Sequence, residues 1–414
     1  MSPGRARVVI VGAGPAGATT SLFLSRLSVP HVLLDSTRFP RDKPCGDGLT
    51  WKVVTTLQEL DPALLDALMD NREEVQPIEE CRFFSPGGHP VTLRSCPSDR
   101  VTRGPIGCTV SRRYFDAFLL SKLDRSAADV RLGWRVTDVR RGERGLVLQA
   151  AHDGTCDELE AELVICADGA QSSLARKLTG APPRRRSCGL GMRRIYENVG
   201  ATEGPRAFEF HFLAGRAPAY VWFFPMAGGR ANVGVAQLAR RRRSNEERLD
   251  ARFAGLLARH PALASRLAGA RPVGEIGVGT LPMDYTARAV HGDRFMLVGD
   301  AAGLIDPFTF EGIGNAMWSA RVAAGTAAEA LRGGRCAASD LAGYRARLDE
   351  ELEGELAVNR MLGRIVAMPV LFDVAARRVS RREHLRELFD GMLTNPEARR
   401  RFADPRFLFR LFFR

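Results

Sequence analysis

Four short segments that are apolar apart from Arg7 and His31 at their starts stand out along the chain, at residues 7–11, 31–34, 163–167 and 295–298. They are rich in aliphatic and β-branched residues and lack the alternation of a strand with one face in water, so they predict fully buried β-strands. A helical pattern over residues 18–28 separates the first two runs. This arrangement of strand, helix and strand predicts an α/β unit with a parallel sheet.

The remaining segments show helical and strand patterns in separate stretches. An amphipathic helix is predicted over 111–125 with Ser111 as its N-cap, and residues 190–237 are rich in strand patterns. Further strands are predicted near 130–138 and 144–151, and further helices over 244–268, 312–331 and from residue 340 onward. We therefore expect a mixed α/β fold that ends in a helical tail.

A glycine-rich turn joins the first predicted strand to the first helix: Gly12-Ala13-Gly14-Pro15-Ala16-Gly17. Gly12 permits the tight turn, Gly14 lets a pyrophosphate approach the backbone, and Gly17 allows close packing of helix and strand. The helix N-terminus offers free N–H groups to the phosphates. Asp35, which ends the second strand, is placed to accept a hydrogen bond from a ribose hydroxyl. Together these features predict a dinucleotide-binding site.

The composition is that of a folded chain, with 45% hydrophobic and 26% charged residues among 414. No apolar run reaches the length of about 18 residues that a membrane-spanning helix requires. The eight cysteines include no Cys-x-x-Cys pair. We therefore expect reduced thiols, a cytoplasmic protein and no metal site.

The net charge is +12, and the last residues, 406–414, combine arginines with phenylalanines and leucines. Such a segment either lies in the interface of an anionic membrane, at its inner face, or docks on the protein's own core. No recognised nucleic-acid-binding motif occurs, so no nucleic-acid partner is expected.

Two further motifs follow predicted strands, Asp168-Gly169 and Gly299-Asp300. Over residues 7–335, the order and spacing of these motifs and the glycine loop resemble the FAD-dependent flavoproteins with the p-hydroxybenzoate hydroxylase fold. The resemblance implies a Rossmann-like domain that binds FAD at the carboxyl ends of its parallel strands.

The same resemblance assigns contacts to the cofactor. Asp35 would bind the adenosine ribose, Arg112 of an Arg-x-x-x-Asp helix would lie near the pyrophosphate, and Asp300 would bind the ribityl chain. Gly312, Ile313 and Gly314 would present backbone N–H groups to the pyrimidine edge, where reduced flavin concentrates negative charge. The other expected contacts are Pro15, Ala16, Cys45, Gly46, Asp168, Gly169 and Gly299.

A narrower resemblance rests on two stretches. Residues 43–49 read Lys-Pro-Cys-Gly-Asp-Gly-Leu, and residues 220–225 read Tyr-Val-Trp-Phe-Phe-Pro. Both are similar to motifs of the geranylgeranyl reductase family. The resemblance implies reduction of carbon–carbon double bonds in a hydrophobic prenyl substrate. Phe308 and Phe310 are bulkier than the small polar residues usual at that point in this family.

An isolated isoprene double bond is not polarised, so its reduction calls for proton donation together with hydride from flavin N5. Cys45 and Asp47 are the candidate acids, although a buried thiol and a loop-capping carboxylate are the plain structural alternatives. Tyr220 and Trp222 share one face if their segment is a strand. That face would either stabilise cationic character in the substrate or form an ordinary aromatic core.

Two other functions fit the same fold. One is an FAD-dependent monooxygenase or halogenase-like tailoring enzyme, and the other is a non-catalytic FAD-binding module. No second glycine fingerprint marks a nicotinamide domain. The electron donor is accordingly left open between NAD(P)H, a ferredoxin and a quinol.

The expected domains are interleaved along the chain. The FAD-binding domain is assigned to residues 1–75, 103–180 and 270–335. A mainly β substrate domain is assigned to 76–102 and 181–269, and a helical region to 336–414.

Overall fold

A computed structural model describes residues 4–94, 105–180, 188–200, 205–214, 219–238, 253–258 and 260–390. Within them the strands are β1 Gly4–Val11, β2 His31–Asp35, β3 Gly48–Thr50, β4 Gln76–Ile78, β5 Glu80–Phe84, β6 Pro90–Arg94, β7 Gly107–Thr109, β8 Ala128–Leu132, β9 Arg135–Arg141, β10 Leu146–His152, β11 Thr155–Cys166, β12 Cys188–Glu197, β13 Ala207–Phe212, β14 Ala219–Met226, β15 Arg230–Leu238, β16 Arg271–Pro282, β17 His291–Gly292 and β18 Phe295–Leu297. The helices are α1 Pro15–Arg26, α2 Trp51–Leu60, α3 Pro62–Met69, α4 Arg112–Ser121, α5 Ser173–Thr179, α6 253–258, α7 Pro261–Leu267, α8 Ile313–Arg332, α9 Ala342–Leu348, α10 Gly354–Val366, α11 Pro369–Arg381 and α12 Glu383–Asp390.

The first sheet has eight strands and contains all four of the predicted buried runs. Its central strands β18, β11, β1, β2 and β8 are parallel neighbours in that order. Val8 of β1 pairs with His31 on one side and with Leu163 on the other. β9 and β10 extend this sheet as antiparallel strands from β11. The parallel order brings the carboxyl ends of β1, β11 and β18 together at one edge.

The second sheet has seven strands, in the order β16-β12-β15-β14-β13-β5-β6. Its pairs are antiparallel except for β13 and β5. β16 begins at Arg271, inside the range expected for the FAD-binding domain, and pairs with β12 in this sheet. Among the segments the structure describes, this sheet therefore takes its strands from both sides of the expected boundary near residue 270.

Alternate side chains of β14 enter two different apolar cores. Tyr220, Trp222 and Phe224 pack on the face that also receives Phe372 of α11. Val221 and Phe223 point to the other face, with residues of α6. The expectation that Tyr220 and Trp222 share a face is confirmed.

The C-terminal helices cover one end of the second sheet. Asp373 of α11 accepts hydrogen bonds from Ser85 Oγ (2.5 Å) and from the Gly87 amide (2.7 Å). Ser380 Oγ donates to the Pro90 carbonyl at 2.6 Å. These contacts fix α11 against the β5–β6 hairpin.

Within the described ranges, no helix is both long enough and apolar enough to cross a bilayer.

Candidate active site

The glycine loop after β1 adopts the close-packed conformation that its sequence predicts. Gly12 has φ +102°, and a Cβ there would lie 2.7 Å from the Ala167 carbonyl carbon. A Cβ at Gly17 would overlap the Gly12 carbonyl, so both positions need glycine. α1 begins directly after Gly14 with Pro15 in its first turn. The unpaired N–H groups at the start of this helix therefore lie next to the glycine loop, against which the phosphates would bind.

Asp35 lies beside that loop and is held in a fixed orientation. Its Oδ2 accepts from the Ala13 amide at 2.7 Å, and its Oδ1 accepts from the Thr37 amide (2.7 Å) and hydroxyl (2.6 Å). The carboxylate is therefore fixed beside the glycine loop, although Asp35 does not border the cavity in the described part of the chain.

Positive charge gathers above the glycine loop. Arg112 donates twice to fully buried Asp116, at 2.7 Å each, and Arg41 pairs with the same carboxylate at 3.1 Å. A side chain at Gly14 would stand 3.5 Å from Arg41 Nη2 and 3.8 Å from Arg112 Nη2. Burial alone would lower the pKa of Arg112, but Asp116 raises it overall, so the guanidinium stays charged.

Lys43 adds a third cation to this end of the site. Burial lowers the pKa of its ammonium, and the nearby Arg112 lowers it further. Two carboxylates, Asp116 and Asp300, thus lie near three cations, Arg41, Lys43 and Arg112. A pyrophosphate carries negative charge that would balance the surplus, so the charge of this cluster fits FAD.

The two acid–glycine motifs border the same cavity. Gly169 and Gly299 both have positive φ, +82° and +58°, and Asp168 and Asp300 line the cavity beside them. Asp168 Oδ1 is buried with no hydrogen-bond partner among the described residues. Burial raises the pKa of this carboxyl. A donor supplied by a bound cofactor would satisfy the orphaned oxygen, which is a second point of fit for FAD.

Gly312 precedes α8 and, with Ile313, borders the cavity at the helix N-terminus. Gly314 lies on the other side of this turn, where an added Cβ would stand 2.7 Å from Lys52 Cβ. The N-terminal turn of α8, where a helix has unpaired N–H groups, therefore lies at the cavity wall. Gly314 is needed for close packing against α2.

The cavity has a volume of about 790 Å³ and changes character along its length. At one end it is bordered by Gly14, Lys43 and Asp300. At the other end it is bordered by aromatic and aliphatic side chains of both β-sheet and helix, among them Phe83, Phe210, Trp222, Phe372 and Val379. A nucleotide cofactor suits the polar end, and an apolar molecule suits the other.

The predicted residues Cys45 and Asp47 are tied together by Asn232, a residue that the sequence analysis did not single out. Asn232 is fully buried, and its Nδ2 donates to the Cys45 carbonyl and to Asp47 Oδ2, both at 2.8 Å. Its Oδ1 accepts from Trp222 Nε1 at 2.9 Å. One amide therefore joins the Lys43–Leu49 loop to the aromatic strand β14.

Cys45 borders the cavity, and its thiol has a raised pKa, chiefly because of burial and secondly because of the Asp47 carboxylate. The thiol is therefore protonated at neutral pH. Asp47 does not border the cavity in the described part of the chain. Its φ is +60°, and its Oδ1 accepts from the Arg112 amide at 3.2 Å. Burial raises its pKa to about 6.

Tyr220 and Trp222 both border the cavity and are both buried. The Tyr220 hydroxyl donates to the Thr309 carbonyl, and burial raises its pKa well above the ordinary value. Trp222 packs over Gly234, where an added Cβ would overlap its ring. A lone glycine in a strand pattern is a sequence signal for such a close approach, and it would have pointed to β15.

A buried ion-pair group lies beside the N-terminus of α8 and was also missed from the sequence. Lys52 is 1% exposed, donates to Asn315 Oδ1 at 2.6 Å and pairs with Glu355 at 2.6 Å. Glu311 accepts a hydrogen bond from the Thr50 hydroxyl, and burial raises the pKa of its carboxyl.

Among the described residues, no His, Cys, Asp and Glu side chains form a group that could hold a metal ion.

Comparison with known proteins agrees with the geometry. A family model for an FAD-binding domain matches residues 5–348. The chain is 32% identical over 330 residues to a menaquinone reductase of Mycolicibacterium smegmatis, covering 77% of this chain and 76% of that one. It is 29% identical over 350 residues to digeranylgeranylglycerophospholipid reductase 1 of Methanopyrus kandleri, covering 83% of this chain and 86% of that one.

Solved structures show the same fold. A geranylgeranyl bacteriochlorophyll reductase-like protein from Thermoplasma acidophilum superimposes with a TM-score of 0.80 at 22% identity, covering 97% of this chain and 100% of that one. A flavin-dependent brominase superimposes with a TM-score of 0.76 at 18% identity, covering 96% and 97%. The glycine loop, the cation cluster and these relationships lead to one conclusion: the chain is an FAD-dependent oxidoreductase that belongs to the FAD-binding-domain flavoproteins and, within them, to the geranylgeranyl reductase family.

Proposed function

We propose that this flavoenzyme reduces carbon–carbon double bonds in the prenyl chain of a lipid or quinone. The observation that carries the proposal is the continuity of one cavity from the cationic glycine loop to an aromatic, apolar end. The names of the relatives support it, because they include reductases of menaquinone and of a digeranylgeranyl lipid. A prenyl chain attached to a polar head has the same two-part character as the cavity.

We assign the cofactor contacts as follows. The backbone of the Gly12–Gly17 loop and the side chains of Arg41, Lys43 and Arg112 hold the pyrophosphate. Asp35 holds the adenosine ribose, and Asp300 holds the ribityl chain. Bound and reduced, FAD supplies the hydride for the double bond. The N-terminus of α8 stabilises negative charge next to Gly312 and Ile313.

The protein's own side chains supply the proton and the surroundings. Cys45 holds a proton at the cavity wall, and we assign it as the donor to the carbon that does not receive the hydride. Asp47 is a positioning residue, because its two oxygens accept from Asn232 and from the Arg112 backbone. The rings of Tyr220 and Trp222 exclude water and stabilise cationic character in the substrate.

The test is an anaerobic single turnover. The holoenzyme is reduced with dithionite, which avoids any dependence on the natural electron donor. It is then mixed separately with geranylgeranyl diphosphate, a digeranylgeranyl glycerolipid and a menaquinone. We expect oxidation of the enzyme-bound flavin without oxygen, and a product whose prenyl chain is heavier by two hydrogen atoms after any quinol has been reoxidised to the quinone in air. Oxidation only in air, with a product that has gained one oxygen atom, would replace the reductase with the monooxygenase.

We also propose that the enzyme works at an anionic membrane surface. The segment 406–414 that suggested this lies outside the described residues. Independent support comes from Met368 and Val370, which are 44% and 76% exposed at the turn between α10 and α11. Residues on both sides of this turn, such as Val366 and Phe372, border the apolar end of the cavity. The turn would face the lipid from which a prenyl substrate comes.

A vesicle flotation assay tests the membrane contact. We expect the enzyme to float with vesicles that contain anionic lipid and to remain unbound with neutral vesicles. Replacing both Met368 and Val370 with serine should reduce the floated fraction, and deletion of 406–414 should reduce it separately. The matched control is Leu27→Ser, because Leu27 is 45% exposed and directly follows α1, which is not part of the turn between α10 and α11. Flotation that is equal for all variants and both lipids would rule out the contact.

A further inference from the structure

Phe310 has a backbone conformation that a phenylalanine rarely adopts. Its φ is +56°, in the left-handed region that glycine favours. It lies between Asp306 and the start of α8 and borders the cavity. A bulky residue held in such a conformation indicates that its ring has a role that offsets the strain.

The turn that holds Phe310 is built around one buried carboxylate. Asp306 Oδ1 accepts from the amides of Phe308 (2.9 Å) and Thr309 (2.7 Å), and from the Thr309 hydroxyl (3.0 Å). Asn359 of α10 donates to Asp306 Oδ2 at 2.5 Å. The Phe310 amide donates to the Asp306 carbonyl at 3.0 Å. These bonds fix the backbone of the turn and so the point from which the Phe310 side chain enters the cavity wall.

The ring of Phe310 is placed against two features of the second sheet. Its centroid lies 5.6 Å from the centroid of Tyr220, whose hydroxyl is bonded to the carbonyl of Thr309 in the same turn. On the other side, Gly189 of β12 has no side chain, and a Cβ there would lie 2.7 Å from the Phe310 ring. The absence of a side chain at Gly189 makes room for the ring.

The Tyr220–Phe310 pair lies at a defined distance from the Cys45 loop. Trp222 is the neighbour of that loop, because its Nε1 would lie 3.5 Å from a Cβ at Gly46. The Tyr220 ring follows on the same face, 6.3 Å from the Trp222 ring. A chain that lies along this face therefore meets the Tyr220–Phe310 pair about one prenyl unit beyond Trp222.

We propose that Phe310 is the residue that determines which double bonds of a prenyl chain are reduced. With Tyr220 it narrows the cavity beyond Trp222 and limits how far the chain can advance past the Cys45 loop. Each prenyl unit that passes this point brings the next double bond to the flavin. This inference rests on the proposed prenyl reductase function and adds a limit on the positions that react.

The test uses the holoenzyme and two variants, Phe310→Gly and Phe310→Ala. Both remove the ring, but only glycine also relieves the backbone strain. The substrate is whichever compound the wild-type enzyme reduces in the anaerobic single turnover. Dithionite is then kept in excess so that the flavin is reduced repeatedly, and products are counted by mass. We expect both variants to increase the fraction of product that has gained four or more hydrogen atoms by about tenfold. We expect Phe310→Gly to melt about 1–2 °C above Phe310→Ala.

Ser28→Gly is the matched control. Ser28 also has positive φ, +54°, but is exposed at the end of α1, away from the cavity. This variant should retain the product distribution of the wild-type enzyme. Wild-type enzyme that reduces no prenyl substrate would contradict the proposed function itself. Wild-type enzyme that saturates every double bond, or Phe310 variants with unchanged products, would overturn the role of Phe310 while leaving the reductase intact.

Discussion

Replacing Arg112 with methionine is expected to weaken FAD binding by roughly 30- to 150-fold, the effect of losing a charge-assisted hydrogen bond of about 2–3 kcal/mol. The same change should lower the free energy of unfolding by about 3 kcal/mol, because it removes two bonds to a buried carboxylate. Asp116 is fully buried and, among the described residues, would keep Arg41 as its ion-pair partner, with Lys43 also nearby. Fluorescence titration with FAD and urea unfolding of the FAD-free protein would measure the two effects separately.

Two further variants separate the two effects. Arg113→Met changes the next residue of α4, which is exposed, and should alter neither quantity. Arg112→Met combined with Asp116→Leu removes both members of the buried pair. It should regain much of the lost stability and still bind FAD weakly. If the double variant bound FAD like wild type, Arg112 would be a structural residue with no part in holding the pyrophosphate.

Replacing Asn232 with leucine is the second change for which we expect a large effect. It leaves three buried groups without their bonds to this amide: the Trp222 indole N–H, the Cys45 carbonyl and Asp47 Oδ2. We expect the free energy of unfolding to fall by about 3 kcal/mol, at the upper end of the range for unsatisfied buried polar groups. Since the amide also lowers the pKa of Asp47, which is about 6, its loss should raise that pKa further. Urea unfolding and anaerobic single-turnover rates are the measurements.

A double-mutant cycle identifies the role of this amide. Trp222→Phe retains an aromatic ring but removes the indole N–H that donates to Asn232 Oδ1. By itself it should cost about 1 kcal/mol. If Asn232 holds Trp222 and the Cys45 loop in one arrangement, the effects will be strongly non-additive, and Trp222→Phe will change little in the Asn232→Leu background. Full additivity in stability and in turnover rate would contradict a shared anchoring role.

The parallel sheet and the glycine loop could be predicted from the sequence because their determinants are local. An uninterrupted apolar run, a glycine turn and an acid at the end of the next strand are all readable within residues 7–35. The N-cap of α4 could be predicted from the sequence in the same way, and the Ser111 side chain does accept a hydrogen bond from the Tyr114 amide at 3.2 Å. Each of these features depends on residues that are close together in the chain.

Asn232 and Lys52 could not be predicted because their roles depend on tertiary contacts. Asn232 contacts a loop that is 185 residues away in sequence, and Lys52 is bonded to Asn315, 263 residues away. An asparagine in a strand or a lysine on a helix normally indicates a solvent-facing position. The placement of β16 also depends on long-range pairing, since its partner β12 is separated from it by β13, β14 and β15.

The chain order of the cavity wall has a consequence for how the holoenzyme is made. The cofactor contacts assigned above are complete once α8 has been synthesised, whereas Val366, Phe372 and Val379 of the apolar wall come later, on α10 and α11. A ribosome delivers the chain from its N-terminus, and folding generally follows that direction. The nascent chain can thus form the cofactor-binding part of the site before the helices that border the apolar end of the cavity have been synthesised. FAD can then bind before the cavity is closed. Helices α10 and α11 complete the cavity wall around FAD that is already bound.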